Sequence, residues 1–408
     1  AHADTVARSA FTSVPLPESL LRQSHFIWGR PILIETIIRL LEELPSPTPH
    51  RMDTVLLSFQ GKEEIFEGFP ELQKHYRQAL HKVLQQGWRV IHFCRLDEDQ
   101  HRSLALVEEL LTFLGTGRYF PYYVERYGTL APPYDLLIIP QKVAIFCFAT
   151  QMDQRPDTGL LTGNLQEIEL LRAHFDLLQA QSLPLCQNSL PQGNPGSWQA
   201  IADAEIRPGG RVSLKEGLSC LTEPLSWYRR DTPLMQGVRE AEPVVESIIE
   251  NQRRRFAAFQ TNVVSYPYRD ICSKRAIEQL VSSGELPRDD RAIGFLPSPQ
   301  ARREHLQHII YLLKTYDQYQ LAVFDPVETA HIPIEADWTV NGASNVTIIV
   351  CAPDSAGKEI LQGLPISEPT IVRAFHDYFE AAWRQIAPPN KDKRHVIQWM
   401  EQQMALIS

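Results

Sequence analysis

Apolar residues recur every three or four positions between residues 32 and 44 (Ile32, Leu33, Ile37, Leu40, Leu41, Leu44). Pro31 suits a first helical turn, and Pro45 ends the run. The short run Val55-Leu56-Leu57-Ser58-Phe59 predicts a buried strand. A second amphipathic helix is predicted over residues 70–86, stopping at Gly87, and the β-branched and aromatic residues of 88–93 predict a covered strand behind it. Helix alternating with strand marks an α/β layer architecture, because each strand needs helices to cover it. The alternation continues with a helix at 102–114 and a strand at 119–125. Two apolar runs at 135–139 and 142–148, parted by Pro140-Gln141, then favour a tight hairpin or a neighbouring strand pair. Asn164 is placed to cap a helix over 165–180 that carries Ile168, Leu171, Phe175 and Leu178 on one side.

Residues 183–197 are rich in Pro, Gly, Asn and Gln and form the clearest boundary. The expected division is an N-terminal extension at 1–19, a first α/β half at 20–182, a connecting loop at 183–197, and a second half at 198–408 carrying a helical insertion. The stretch after Trp198 is less regular, with a helix over 242–259 (Val245, Ile248, Ile249, Phe256). Ser273 is read as the cap of a helix at 274–282, with Gly284 just outside. From Pro299 the order becomes familiar again. A helix at 300–315 leads to strands at 319–324, 337–340 and 345–350, then to helices at 370–386 and 392–405.

Two stretches echo each other. In 104–180 and in 306–386 an aliphatic helix gives way to an aromatic strand (Tyr119-Phe120 beside Tyr319-Gln320). Two further strands follow, beginning at Asp135 and Asp337, and each set ends in a helix with an Ala/Phe seam (Ala173-His174-Phe175 beside Ala374-Phe375-His376). Such a duplication predicts two similar α/β halves.

This two-half order resembles the phospholipase-D-type fold, whose active members carry a His-x-Lys-x4-Asp element in each half. No such element is present here. His81-Lys82 lies within a predicted helix at the wrong spacing, and the strands at Asp135-Leu136-Leu137-Ile138-Ile139 and Asp337-Trp338-Thr339-Val340 lack the histidine. The layout is closer to degenerate, non-catalytic versions of that fold found as sensor regions of bacterial and archaeal transcriptional regulators, including the sugar-sensing regulator family. Residues 305–325 and 374–383 also resemble such sensor regions from Gram-positive bacteria. The resemblance covers about residues 20–400. It implies an α/β fold of two phospholipase-D-like halves, each a mixed sheet flanked by helices, without the catalytic motif. It further implies that DNA is reached only through a module upstream of residue 1 or on a partner.

Candidate chemistry is sparse. His305 and His308 share a helix face, but two histidines do not make a metal centre, and no His-Glu-x-x-His is present. There is no Gly-x-Ser-x-Gly, no Gly-x4-Gly-Lys-Ser/Thr loop, and no dinucleotide fingerprint around Gly115-Thr116-Gly117. No cofactor is expected. Among six scattered cysteines, Cys94, Cys147 and Cys351 lie in apolar runs and read as reduced core thiols. Cys272, beside Lys274 and Arg275, is the better candidate for a reactive thiol. Arginine forks and tyrosine faces cluster at Tyr228-Arg229-Arg230 and at Tyr266, Tyr268, Arg269, Lys274 and Arg275. These are the candidate ligand-binding residues for a small polar or anionic molecule. The aromatic stripe Phe375, Tyr378, Phe379 and Trp383 is either core or the face of a homodimer.

Composition narrows the classes. Hydrophobic residues at 43% and charged residues at 22% are ordinary for a folded protein, and a net charge of -9 gives no general attraction for nucleic acid. With no apolar run of about twenty residues and no signal-peptide layout at the start, no membrane partner and a cytoplasmic location are expected. The missing initiator Met leaves room for an upstream module. The preferred reading is a non-catalytic ligand-sensing or regulatory region of a transcriptional regulator, with its ligand in a cleft. A hydrolase or transferase assembled from scattered loops, or an interaction scaffold, stays open.

Overall fold

A computed structural model describes residues 24–45, 53–58, 65–66, 68–94, 96, 100–114, 116–123, 135–149, 156–186, 202–228, 242–284, 297–324, 337–342, 344–353 and 359–407. It is a mixed α/β protein with two mixed sheets flanked by helices. The chain divides into two compact units, one of residues 1–95 and 118–183, the other of residues 96–117 and 184–408.

The first unit contains β1 (His25–Trp28), α1 (Arg30–Glu42), β2 (Thr54–Leu57), α2 (Pro70–Gln85) and β3 (Arg89–Cys94). It continues with β4 (Tyr119–Tyr123), β5 (Asp135–Ile139), β6 (Val143–Phe148), β7 (Thr158–Thr162) and α4 (Leu165–Ala180). Between β3 and β4 runs α3 (Gln100–Leu114), which groups with the second unit. Together with β8 (Leu183–Pro184), the strands order as β1-β7-β6-β5-β2-β3-β4-β8. The expected hairpin forms between β5 and β6, and its turn places Gln141 at φ 63. Phe93, Leu136, Ile138, Ile168 and Phe175 make the core under α4. Helix α1 sits so close to β7 that a Cβ on Gly159 would lie 2.5 Å from Leu33 Cδ1. The Asn164 side chain accepts from the Gln166 amide, as its position at the start of α4 predicts. Asn164→Ala should cost about 1 kcal/mol, read as a lower urea midpoint with unchanged helix content.

The second unit contains β9 (Arg211–Lys215), α5 (Glu242–Asn262), β10 (Tyr268–Ser273), α6 (Lys274–Ser282), α7 (Pro299–Thr315) and β11 (Tyr319–Phe324). It continues with β12 (Asp337–Asn341), β13 (Asn345–Pro353), β14 (Glu359–Ile366), α8 (Pro369–Gln385) and α9 (Lys393–Ala405). Its strands order as β11-β10-β9-β12-β13-β14. Residues 202–206 are also helical.

The two sheets repeat one topology. In the first unit β2, β3 and β4 pair in parallel, while β5, β6 and β7 add antiparallel from the other edge of β2. In the second, β9, β10 and β11 pair in parallel, while β12, β13 and β14 add antiparallel from the other edge of β9. The echo read between residues 104–180 and 306–386 covers the last four strands of this six-strand repeat.

One face of the second sheet packs on α8. Trp338 is fully buried there, with ring centroids 5.0 Å from Phe375 and 6.4 Å from Phe379. The aromatic stripe of α8 thus packs within its own unit. The opposite face of β10 and β11 packs on α5, α6, α7 and α9 through Phe259, Ile277, Leu280, Ile309, Val396 and Met400.

Candidate functional site

Strand β9 alternates Arg-Val-Ser-Leu-Lys, β12 Asp-Trp-Thr-Val-Asn, and β13 opens Asn-Val-Thr-Ile. Side chains two apart on a strand share a face, so this alternation would ordinarily describe one buried and one wet face. Both faces are buried. Arg211, Ser213, Lys215, Asp270, Asp337, Thr339, Asn341, Asn345 and Thr347 are all at most 7% exposed. The register gathers them into rows. Ser213 lies beside Asp270 on one flank and Thr339 on the other, with Thr347 beyond. Arg211 lies beside Tyr268 and Tyr319 on one flank and Asn341 and Asn345 on the other.

Burying polar groups is costly unless they find partners. Much of this face does. Asp270 accepts from the Ser213 hydroxyl and, at 3.1 Å, from the Tyr319 hydroxyl. Arg211 donates from Nη2 to Ser219 Oγ at 3.1 Å and stands 3.8 Å from Asp270. The amide of Glu216 donates to Asp337 Oδ1 at 2.6 Å. From α5, Arg255 grips Glu205 through Nε at 2.5 Å and Nη2 at 3.1 Å, and its Nη1 donates to Gln252. Burial alone would raise the Glu205 carboxyl. The Arg255 guanidinium, helped by Arg211 and Lys215, more than reverses this and holds it below the ordinary carboxylate range.

At the C-terminal end of β9 and along β10 and β11 the face opens into a small pocket. Its polar lining is Ser213, Lys215, Ser219, Thr222, Asp270 and Tyr319, against Leu218, Ile309 and Leu321, and it has room for about one ordered water. Behind it, Thr222 donates to the Ser219 carbonyl at 2.6 Å and so receives the His305 Nε2 proton at 3.2 Å. His305 is completely buried against Trp227, and burial, with His308 nearby, lowers it to about 3. Cys272 also lines the pocket. Burial foremost, then Asp270 and Asp337, pushes its thiol well up, so it is a protonated thiol and a poor nucleophile. Among the described residues no group of three or more His, Cys, Asp or Glu could hold a metal ion.

The first unit has other residues at the same places. Where the second carries Arg211 and Ser213, the first carries Val55 and Leu57. Where the second carries Thr339 and Asn341 paired with Thr347 and Asn345, the first carries Leu137 and Ile139 paired with Ile145 and Val143. The fold itself is satisfied by apolar residues at all six positions. Some polarity is shared: Asp135 and Asp337 begin equivalent strands, and His92, the counterpart of Asp270, hydrogen-bonds Tyr119, the counterpart of Tyr319. Cys94 and Cys147 are buried and form no disulfide, as their apolar surroundings in the sequence suggest.

The residues singled out from sequence are dispersed. Tyr268 faces the core, edge-on to Phe259 with centroids 5.3 Å apart. Its neighbour Arg269 points to the opposite face, where it pairs with Glu380 and lies over Phe379 and Trp383. Tyr228 hydrogen-bonds Glu223, Lys274 lies over Trp399, and Tyr266 and Arg275 are exposed. Arg229 and Arg230 fall outside the described residues. Sequence reading passed over Arg211, Ser213 and Lys215, although the apolar residues at the repeat-equivalent positions of β2 offered a contrast.

No family model matches the chain, and none of the curated proteins does. Among solved structures, TrmBL2, an archaeal chromatin protein described as showing a novel mode of DNA binding, is 11% identical with a TM-score of 0.30. The match covers 44% of this chain and 58% of that one. Polyphosphate kinase from Porphyromonas gingivalis is 13% identical with a TM-score of 0.29, over 94% of this chain and 56% of that one. The chain thus spans little more than half the length of either. No helix among the described residues is long and apolar enough to cross a membrane.

Proposed function

We propose that the second unit is the ligand-binding part of a sensor or regulatory region, taking a small polar molecule against the buried polar face of β9, β12 and β13. One observation carries this reading: the same sheet in the first unit is apolar at six positions where the second is polar. A fold that packs with Val, Leu and Ile has no structural need for Arg, Ser, Thr and Asn there, and such substitutions cost stability. Retained polarity of this kind belongs to binding sites, and the pocket beside it, at the C-terminal end of β9, lies where open α/β sheets take their ligands. The raised Cys272 thiol favours binding over nucleophilic catalysis. DNA would be reached through an upstream module or a partner, as in the sensor regions the sequence resembles.

The test is a thermal-shift titration of the chain with phosphate, acetate, acetamide and glycerol, each in wild type and in Ser219→Ala. A ligand at one hundred times its Kd stabilises by about 2.7 kcal/mol, a rise of a few degrees. The reading predicts such a rise for at least one probe and its reduction in Ser219→Ala. No shift with any probe, or equal shifts in both proteins, would overturn it.

A further inference from the structure

Among the described residues, the charged groups on this face of β9, β10 and β12, taken with the Glu205–Arg255 pair, balance. Arg211, Lys215 and Arg255 stand against Glu205, Asp270 and Asp337, and all six are buried. A bare anion entering this layer would bring a net charge into a low-dielectric interior, where it is strongly disfavoured. An uncharged polar molecule would not.

Beside Arg211 lies a set of unanswered neutral groups. On the adjacent pairs Asn341–Asn345 and Thr339–Thr347, the atoms Asn341 Nδ2, Asn345 Oδ1 and Thr347 Oγ1 are buried and have no hydrogen-bond partner. Each of the three residues is at most 5% exposed. The first is a donor, the second an acceptor, and the hydroxyl serves as either. They lie on cross-strand neighbours, within reach of one small molecule. They lie toward the start of β9, where Asn341 pairs with Arg211, two residues along the same face from Ser213 of the pocket. Buried polar atoms left without partners in a native protein call for an occupant, and the corresponding residues of the first unit, Ile139, Val143 and Ile145, leave none.

We infer that Asn341, Asn345 and Thr347 form a recognition subsite for an uncharged ligand bearing an adjacent hydrogen-bond donor and acceptor, such as a primary amide or a hydroxyl-bearing carbon chain. Asn341 donates to its acceptor oxygen, Asn345 accepts its N–H or O–H, and Thr347 completes the row. The inference rests on the ligand-binding reading above and narrows it from polar or anionic ligands to neutral ones.

The experiment compares wild type, Thr347→Val, and the triple variant Asn341→Ile, Asn345→Val, Thr347→Ile, which installs the residues of the first unit. Each is melted alone and with acetamide, glycerol or phosphate. The expected result has three parts: acetamide or glycerol stabilises wild type while phosphate does not; either variant weakens that protection at least tenfold in half-maximal concentration; and the ligand-free variants melt at the same temperature as wild type or a few degrees higher. Acetamide and glycerol separate the amide from the hydroxyl class. The inference is overturned if the ligand-free variants melt markedly lower, which makes the row structural, or if neutral protection survives in them. It also falls if phosphate alone protects and protects the variants equally, although the broader binding reading then stands. Thr347→Val, which removes one hydroxyl and keeps the shape, decides the matter if the triple variant does not fold.

Discussion

Glu205→Ala should destabilise the second unit by about 3–5 kcal/mol, because it leaves the Arg255 guanidinium buried without its carboxylate. The loss exceeds that of a surface ion pair because both partners are nearly inaccessible and the pairing is two-pronged. Replacing both partners with leucine should recover much of the loss, since no lone charge is then stranded. Urea unfolding followed by tryptophan fluorescence distinguishes the cases. A loss below 1 kcal/mol in the single variant would show that water reaches Arg255. The pair also sets an acid limit. The folded Glu205 carboxyl lies below its unfolded value, so its contribution is present above the ordinary carboxylate range and is lost as pH falls through and below it.

The second large effect is set by His305. Its folded value of about 3 lies below the ordinary imidazole value near 6.5. The unfolded chain therefore binds a proton that the folded chain refuses throughout that window. Stability is full above about pH 6.5 and falls as pH drops toward 3, by on the order of 4 kcal/mol in all. His305→Phe keeps the edge-on contact with Trp227 and gives up one hydrogen bond to Thr222. It should lose about 1 kcal/mol at neutral pH and flatten the profile between pH 6.5 and 5. Glu205 contributes little to the slope in that interval, and His308, also lowered by burial, leaves a residual slope, so His305→Phe should reduce the slope without abolishing it. An unchanged slope in His305→Phe would assign the acid sensitivity elsewhere.

The long helices were legible because their apolar stripes repeat at the helical period, and the start of α4 carries a cap at Asn164. The hairpin of β5 and β6 was legible from two apolar runs around Pro140-Gln141. Strands β1, β7, β9 and β14 were not. β7 is Thr-Gly-Leu-Leu-Thr, too short and glycine-bearing to announce itself, and β9 carries Arg, Ser and Lys at alternate positions. That alternation reads as a surface pattern, and only the tertiary cover makes it an interior one. β10 is similar: Tyr-Arg-Asp-Ile-Cys-Ser looks like a polar turn, yet it is a central strand whose odd and even residues serve different faces. The cluster read around Tyr266–Arg275 failed to account for that split, which sends Arg269 to α8 and Asp270 to the polar layer. Period two was the missing ingredient.

The position of β9 has a consequence for synthesis. It is a central strand, but its neighbour β10 lies more than 50 residues downstream and its other neighbour, β12, about 120. At roughly 5–20 residues per second, one edge of β9 waits about 6–25 seconds after leaving the ribosome before its last partner exists. A waiting edge of valines and leucines would recruit other nascent chains. Arginine, serine and lysine at every second position make that edge a poor template for aggregation, so the residues that render the finished interior polar also guard the growing polypeptide.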